Sequence, residues 1–102
     1  MSERTAPSLA KLDALLPGIA ELPTSLTRTH LTEDAEALRR AVAAFHMEAI
    51  RFRMHSVDRL IQAAGNPSAV RHAFEEVRQA LEAAGFHTRS HAAPGQRDGT
   101  EA

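Results

Sequence analysis

Apolar residues recur along most of this chain every three or four positions, which is the spacing of one face of an α-helix. The pattern stops near residue 86, and the remainder of the chain is polar. At 102 residues the sequence has room for a single core. We therefore expect an all-α protein with one helical domain at residues 8–86, a flexible N-terminus at 1–7 and a disordered tail at 87–102.

The first helix is predicted to be short. Ser8 can cap it, and its apolar positions are occupied by leucines up to Leu16. The Pro17-Gly18 pair that follows is typical of a helix end. A connector interrupted by Pro23 is then expected before the next helix.

The main element is predicted to be one long helix over residues 32–64. Thr32 can cap its first turn, and neither Pro nor Gly occurs from residue 31 to residue 64. At 1.5 Å per residue such a helix would be roughly 48 Å long. Gly65 fits the left-handed position that closes it.

A further helix is predicted over residues 67–84. Its apolar residues form one stripe, which Gly85 terminates and onto which Phe86 can fold back. The joint of Gly65 and Asn66 is so short that the two major helices are expected to pair antiparallel, as a helical hairpin.

The predicted long helix carries apolar residues on two faces. On a helical wheel these faces lie roughly 135° apart. One contains Leu38, Val42, Phe45, Ala49, Phe52 and Leu60, and the other contains Ala43, Met47, Ile50, Met54, Val57 and Ile61. A helix at the surface of a monomer needs only one apolar face toward its core.

This excess of apolar surface favours self-association. Two hairpins that pair through their long helices would form a four-helix bundle as a homodimer. The expected interface residues are Met47, Ile50, Met54, Val57 and Ile61, and an aspartate at position 54 should dissociate the assembly at little cost to the hairpin. The alternative is a three-helix monomer in which the N-terminal leucines cover the second face.

Two polar residues of the long helix, His46 and Arg53, lie on one helical line between the apolar faces. One interpretation is a polar site inside the bundle, where an imidazole could titrate or bind a ligand. The other is that both side chains reach solvent along a groove between helices.

Metal binding is an alternative function that depends on the six histidines. Only His87 and His91 are close in sequence, four residues apart. The chain contains no Cys, and no Glu is followed three residues later by His, so the commonest zinc and di-iron patterns are missing. We expect no cofactor.

Nucleic-acid binding is a further alternative, through the arginines of the long helix. The formal net charge of the chain is −1, which gives no global attraction to DNA or RNA. The arginines concerned are spread around the helix rather than on one docking face: Arg39, Arg40, Arg51, Arg53 and Arg59.

The sequence favours binding over catalysis. It contains no glycine-rich phosphate loop and no Gly-x-Ser-x-Gly nucleophile motif. No run of about 18 apolar residues suggests a membrane span, so a cytoplasmic location is the simplest expectation. We expect a non-enzymatic accessory protein that acts by protein–protein interaction and by self-association.

Overall fold

A computed structural model of the protein describes residues 4–86, which form four α-helices and no strand. In chain order these are α1 (Ala6–Ala20), α2 (Leu26–Ala43), α3 (Met47–Ala63) and α4 (Ser68–Ala83). The all-α prediction is confirmed. Residues 1–3 and the predicted tail at 87–102 lie outside the described residues. Thr5, which belongs to the predicted flexible N-terminus, is buried.

The first helix is longer than the sequence suggested. Pro17 lies inside α1, which continues to Ala20, so the predicted stop at Pro17-Gly18 is wrong. Proline removes one backbone hydrogen bond from a helix interior. Continuing the helix, however, places Ile19 on the same buried side as Leu12 and Leu15. The burial of Ile19 offsets that loss.

The second helix begins earlier than Thr32. The Oγ atom of Ser25 accepts a hydrogen bond from the backbone N–H of Arg28, at 3.0 Å, and caps α2. An unpaired N–H in the first turn of a helix needs such an acceptor. The predicted connector is therefore reduced to residues 21–25.

The single long helix predicted over residues 32–64 is wrong, because the chain turns at residues 44–46. Phe45 has a φ of +59°. Its N–H donates to the carbonyl of Val42 at 3.1 Å, and the N–H of His46 donates to that of Ala41 at 3.0 Å. These two bonds form the Schellman motif, whose left-handed residue is usually Gly. Because this position is occupied by phenylalanine instead of Gly, the sequence did not indicate a helix end here.

Because of the turn, the chain itself can cover the two apolar faces predicted for the long helix. Because α3 folds back on α2, one face of each helix becomes fully buried, through Leu31, Leu38, Val57 and Ile61 among others. Each such side chain contributes about 1.5–3 kcal/mol when it is buried. A left-handed residue costs about 1–2 kcal/mol. Burial therefore outweighs the cost of the turn.

All four helices of the bundle-like fold come from one chain, whereas the sequence suggested a four-helix bundle built from two chains. The helix α1 packs most extensively on α4 and also on α2, while α2 packs on α3. The two helices of the predicted hairpin, α3 and α4, meet over a shorter stretch. The predicted ends are as expected: Gly65 has a φ of +92°, Gly85 has a φ of +98°, and Phe86 is buried.

An exposed ion pair joins α1 to α2. Arg39 donates from Nε and Nη2 to the two carboxylate oxygens of Asp13, at 2.7 and 3.2 Å. This hydrogen bonding lowers the pKa of Asp13 below its ordinary value. A depressed pKa contributes stability that is present above the pKa of the unfolded chain and is lost as the pH falls through the folded pKa.

We expect Arg39→Gln to raise the pKa of Asp13, because the guanidinium that stabilises its charged form is removed. The pKa can be followed by ¹³C NMR of the side-chain carboxyl group. Arg40→Gln, at the neighbouring exposed arginine, is the control and should leave that pKa unchanged. An unchanged pKa in the Arg39 variant would contradict the assigned cause.

Candidate interaction surface

The residues predicted to form an interface lie mostly inside the chain. Ile50, Met54, Val57 and Ile61 are at most 1% exposed, and Met47 is half-buried against the same core. Their neighbours are the chain's own helices. Contact between these residues and a second copy would require the helices to separate.

The second predicted site, a buried pair of His46 and Arg53, is not formed among the described residues. His46 is exposed, and its Nδ1 atom accepts a hydrogen bond from the backbone N–H of Ala49 at 3.2 Å, so it caps α3. The Nη1 atom of Arg53 donates to Asp34 of α2 at 2.7 Å. Each side chain thus makes its own separate contact. This arrangement is closer to the interpretation in which both side chains reach solvent.

The candidate metal ligands His87 and His91 lie outside the described residues. Between residues 4 and 86, no three His, Asp or Glu side chains are placed together so that they could hold a metal ion. Metal binding by the tail remains a prediction.

Two of the five arginines considered for nucleic-acid binding are paired with carboxylates. Arg39 pairs with Asp13 and Arg53 with Asp34. Since a paired guanidinium carries less free charge toward a phosphate, these contacts count against a strong electrostatic footprint.

An aromatic side chain exposed on α3 is the clearest surface feature. Phe52 is 59% exposed, and together with His55 it lines two concavities of about 510 and 490 Å³. The first, hereafter the α2–α3 groove, lies between these two helices and is lined by His30, Glu33, Asp34, Phe52, His55, Ser56, Arg59, Leu60 and Ala63. The second is lined by Glu48, Arg51, Phe52 and His55.

The ring of Phe52 lies beside an anchored cation. The Cζ atom of Arg53 is 5.2 Å from the ring centroid, and Arg53 is itself bonded to Asp34, which also accepts from Ser56. A guanidinium at this distance is attracted to the face of an aromatic ring. The contact restricts the ring, so that less side-chain entropy is lost if a partner binds to it.

The rim of the groove is polar and carries both signs of charge. Glu33 is exposed on α2 and Arg59 is exposed on α3.

In the second concavity, the Nε atom of Arg51 is buried and has no hydrogen-bond partner within residues 4–86. A buried donor without an acceptor is costly to the fold.

The sequence assigned Phe52 to the face that contains Leu38 and Val42, and so expected it to be covered. The turn at residues 44–46 separates α3 from α2, so residues of one predicted face need not share an environment. A weak signal was available: the position between Phe52 and Leu60 on that face is Ser56, which interrupts the apolar stripe.

A polar cluster joins α3 to α4. Arg71 donates to Asp58 at 2.6 Å and to Glu75 at 3.2 Å, and Arg78 donates to Glu75 at 3.1 Å. The Cζ atoms of Arg71 and Arg78 lie 5.6 and 5.1 Å from the ring centroid of Phe74. Because each charged group here is paired with a group of opposite charge, we interpret the cluster as a structural link between α3 and α4.

In the part of the chain that the structure describes, no helix has the length and apolar character needed to cross a membrane. Comparisons with protein-family models, with curated proteins and with solved structures gave no match to this chain.

Proposed function

We propose that this protein is a non-enzymatic interaction module that binds an amphipathic helix of a partner protein in the α2–α3 groove. The observation that carries the proposal is the exposure of Phe52, at 59%, in the lining of two concavities. Aromatic side chains are enriched at the energetic centres of protein interfaces.

The position of Phe52 matters more than its exposure alone. Leu26 is even more exposed, at 70%, but it stands at the first residue of α2 and lines neither concavity. Single apolar residues on a surface are common and need no explanation. Phe52 instead lines the α2–α3 groove together with Leu60 and Ala63, so a partner's apolar side chains could contact more than one apolar residue there.

The charges of the groove indicate the chemistry of the partner. A helix whose apolar residues recur every three or four positions could cover Phe52 and Leu60, as in other complexes where a helix binds in a groove. A basic residue on its flank would face Glu33, and a carboxylate on the opposite flank would face Arg59. The partner segment is therefore expected to carry both signs of charge.

A photo-crosslinking amino acid at position 52 tests the proposal in cells. The same group at position 26, which is at least as exposed, is the matched control. We expect a specific adduct from position 52 and none from position 26. The captured segment is then synthesised, and its binding to the purified full chain is measured by calorimetry.

Truncation of the anchor should weaken that binding. An interfacial aromatic anchor is worth about 2 kcal/mol or more, so we expect Phe52→Ala to raise the Kd at least about 30-fold. Leu26→Ala should leave the Kd unchanged. Equal affinity of the two variants, with both folded by circular dichroism, would rule out the α2–α3 groove as the binding site.

A further inference from the structure

The turn at residues 44–46 divides the fold into two halves. One half consists of α1 and α2, and the other of α3 and α4. The most extensive helix contacts, α1 with α4 and α2 with α3, all run between the halves, whereas the described chain crosses from one half to the other only once. The apolar core is therefore largely an interface between two segments joined by a three-residue hinge.

That hinge has a sequence that favours a helix. It reads Ala44-Phe45-His46, without Gly or Pro, and it lies between two helices of 18 and 17 residues. Phe45 adopts a left-handed conformation that residues with a side chain rarely occupy. Local preference therefore opposes the turn, and the contact between the two halves imposes it.

Contacts made by His46, Phe45 and Arg4 stabilise the turn. The Nδ1 atom of His46 caps α3. The ring of Phe45 lies 5.8 Å from that of Phe86, and the Cζ atom of Arg4 lies 5.8 and 5.2 Å from the centroids of these two rings. Arg4 also donates from Nε to the carbonyl of Ala84 at 2.6 Å.

We propose that this protein also forms a domain-swapped dimer with a second copy of itself. In the dimer α2 and α3 join into one helix over residues 26–63, about 57 Å long. The half containing α1 and α2 of each copy then packs on the half containing α3 and α4 of the other. Short hinge loops under strain are a recognised cause of such exchange.

When the two halves separate, their apolar faces are exposed. A second copy can cover them because it carries the complementary surfaces. The contacts between helices that cross the two halves can re-form between copies, with the same residues and the same packing. The swapped dimer also turns the left-handed Phe45 into an ordinary helical residue in both chains. This inference is independent of the α2–α3 groove, because it uses the buried faces of the helices.

Two substitutions at position 45 isolate the hinge. Phe45→Ala and Phe45→Gly both remove the ring, but alanine disfavours the left-handed turn and favours a helix, while glycine does the reverse. Since each dimer contains two hinges, we expect the dimer dissociation constant of the alanine variant to be several hundredfold lower than that of the glycine variant. The mass of each variant is measured by light scattering after gel filtration at two concentrations.

A second pair of variants tests the same hinge without touching the aromatic contacts. Aspartate is among the best helix caps and alanine is a poor one, so His46→Asp should favour the monomer and His46→Ala the dimer. If an alanine variant at position 45 fails to fold, this pair decides the question. Equal dimer content within both pairs would overturn the proposal.

The exchange itself is tested by cross-linking, which the absence of Cys makes simple. Asp34 on α2 and Ser56 on α3 are in hydrogen-bond contact, so both are replaced by Cys and joined by a short bis-maleimide. In a swapped dimer the linked pair belongs to two chains, and a denaturing gel should show covalent dimers. A dimer fraction that gives only internally linked single chains would overturn the exchange, because it would consist of two intact four-helix units.

Discussion

Replacing Met54 with aspartate is expected to unfold this protein. From the sequence alone the same change should only dissociate an assembly, but in the structure Met54 is 1% exposed inside the single core. An unpaired carboxylate in such a place costs several kcal/mol, either as a buried charge or through a strongly raised pKa. The loss of methionine packing adds to this cost. A domain of this size has about 5–15 kcal/mol of stability in total.

The free energy of unfolding of the Met54→Asp variant can be measured by urea denaturation followed by circular dichroism. Met54→Leu conserves volume and polarity and should cost less than about 1.5 kcal/mol. Gln62→Asp places the same carboxylate at an exposed position of α3, near Asp58 and the end of the helix, and should cost no more than about 1 kcal/mol. A folded Met54→Asp protein of reduced mass would instead support the interface expected from the sequence.

The second large effect is expected at Phe74. Its side chain is fully buried, and it is one of the largest in the core. Replacing a buried phenylalanine with alanine typically costs about 3–5 kcal/mol, because a cavity remains. Here Arg71 and Arg78 also lose their contacts with the ring, which adds to the expected loss.

The melting temperature of Phe74→Ala should therefore fall by about 15 °C or more, since about 4–8 °C is lost per kcal/mol in a domain of this size. Phe74→Leu keeps most of the apolar volume and should show a clearly smaller decrease. Arg78→Gln would show how much of the effect depends on the cation beside the ring. Similar melting temperatures for the alanine and leucine variants would contradict a cavity as the main cause.

Local signals in the sequence were sufficient for the helix ends that use glycine. The predicted helix over residues 67–84 is observed as α4, and Gly65 and Gly85 both adopt the left-handed conformation that closes the preceding helix. Phe86 also folds back onto the core as expected. These features depend on residues within one or two turns of each other.

The turn at Phe45 could not be found in this way. Its residues favour a helix, and the turn forms because two apolar faces, one on α2 and one on α3, bury each other. The sequence correctly indicated that the predicted long helix carried more apolar surface than one contact could cover. It could not decide whether a second copy or the same chain would cover it.

The candidate site was missed for the same reason. Phe52 and Val42 share a face if residues 32–64 form one straight helix, but they have different surroundings once α3 turns back: Val42 is fully buried and Phe52 is 59% exposed. His46 and Arg53 lie on one line between the apolar faces only if the helix is straight. After the turn, His46 caps a helix and Arg53 binds Asp34.

Periodicity and helix caps along the chain were enough to predict the helical class, the extent of the last helix and the excess of apolar surface in the middle of the chain. The place where that surface is buried, the interruption of the middle helix and the exposure of Phe52 follow from tertiary contacts. Periodicity and capping act over a few residues, whereas burial sums over contacts between distant segments. At Phe45 that sum exceeds the local preference, and the chain turns.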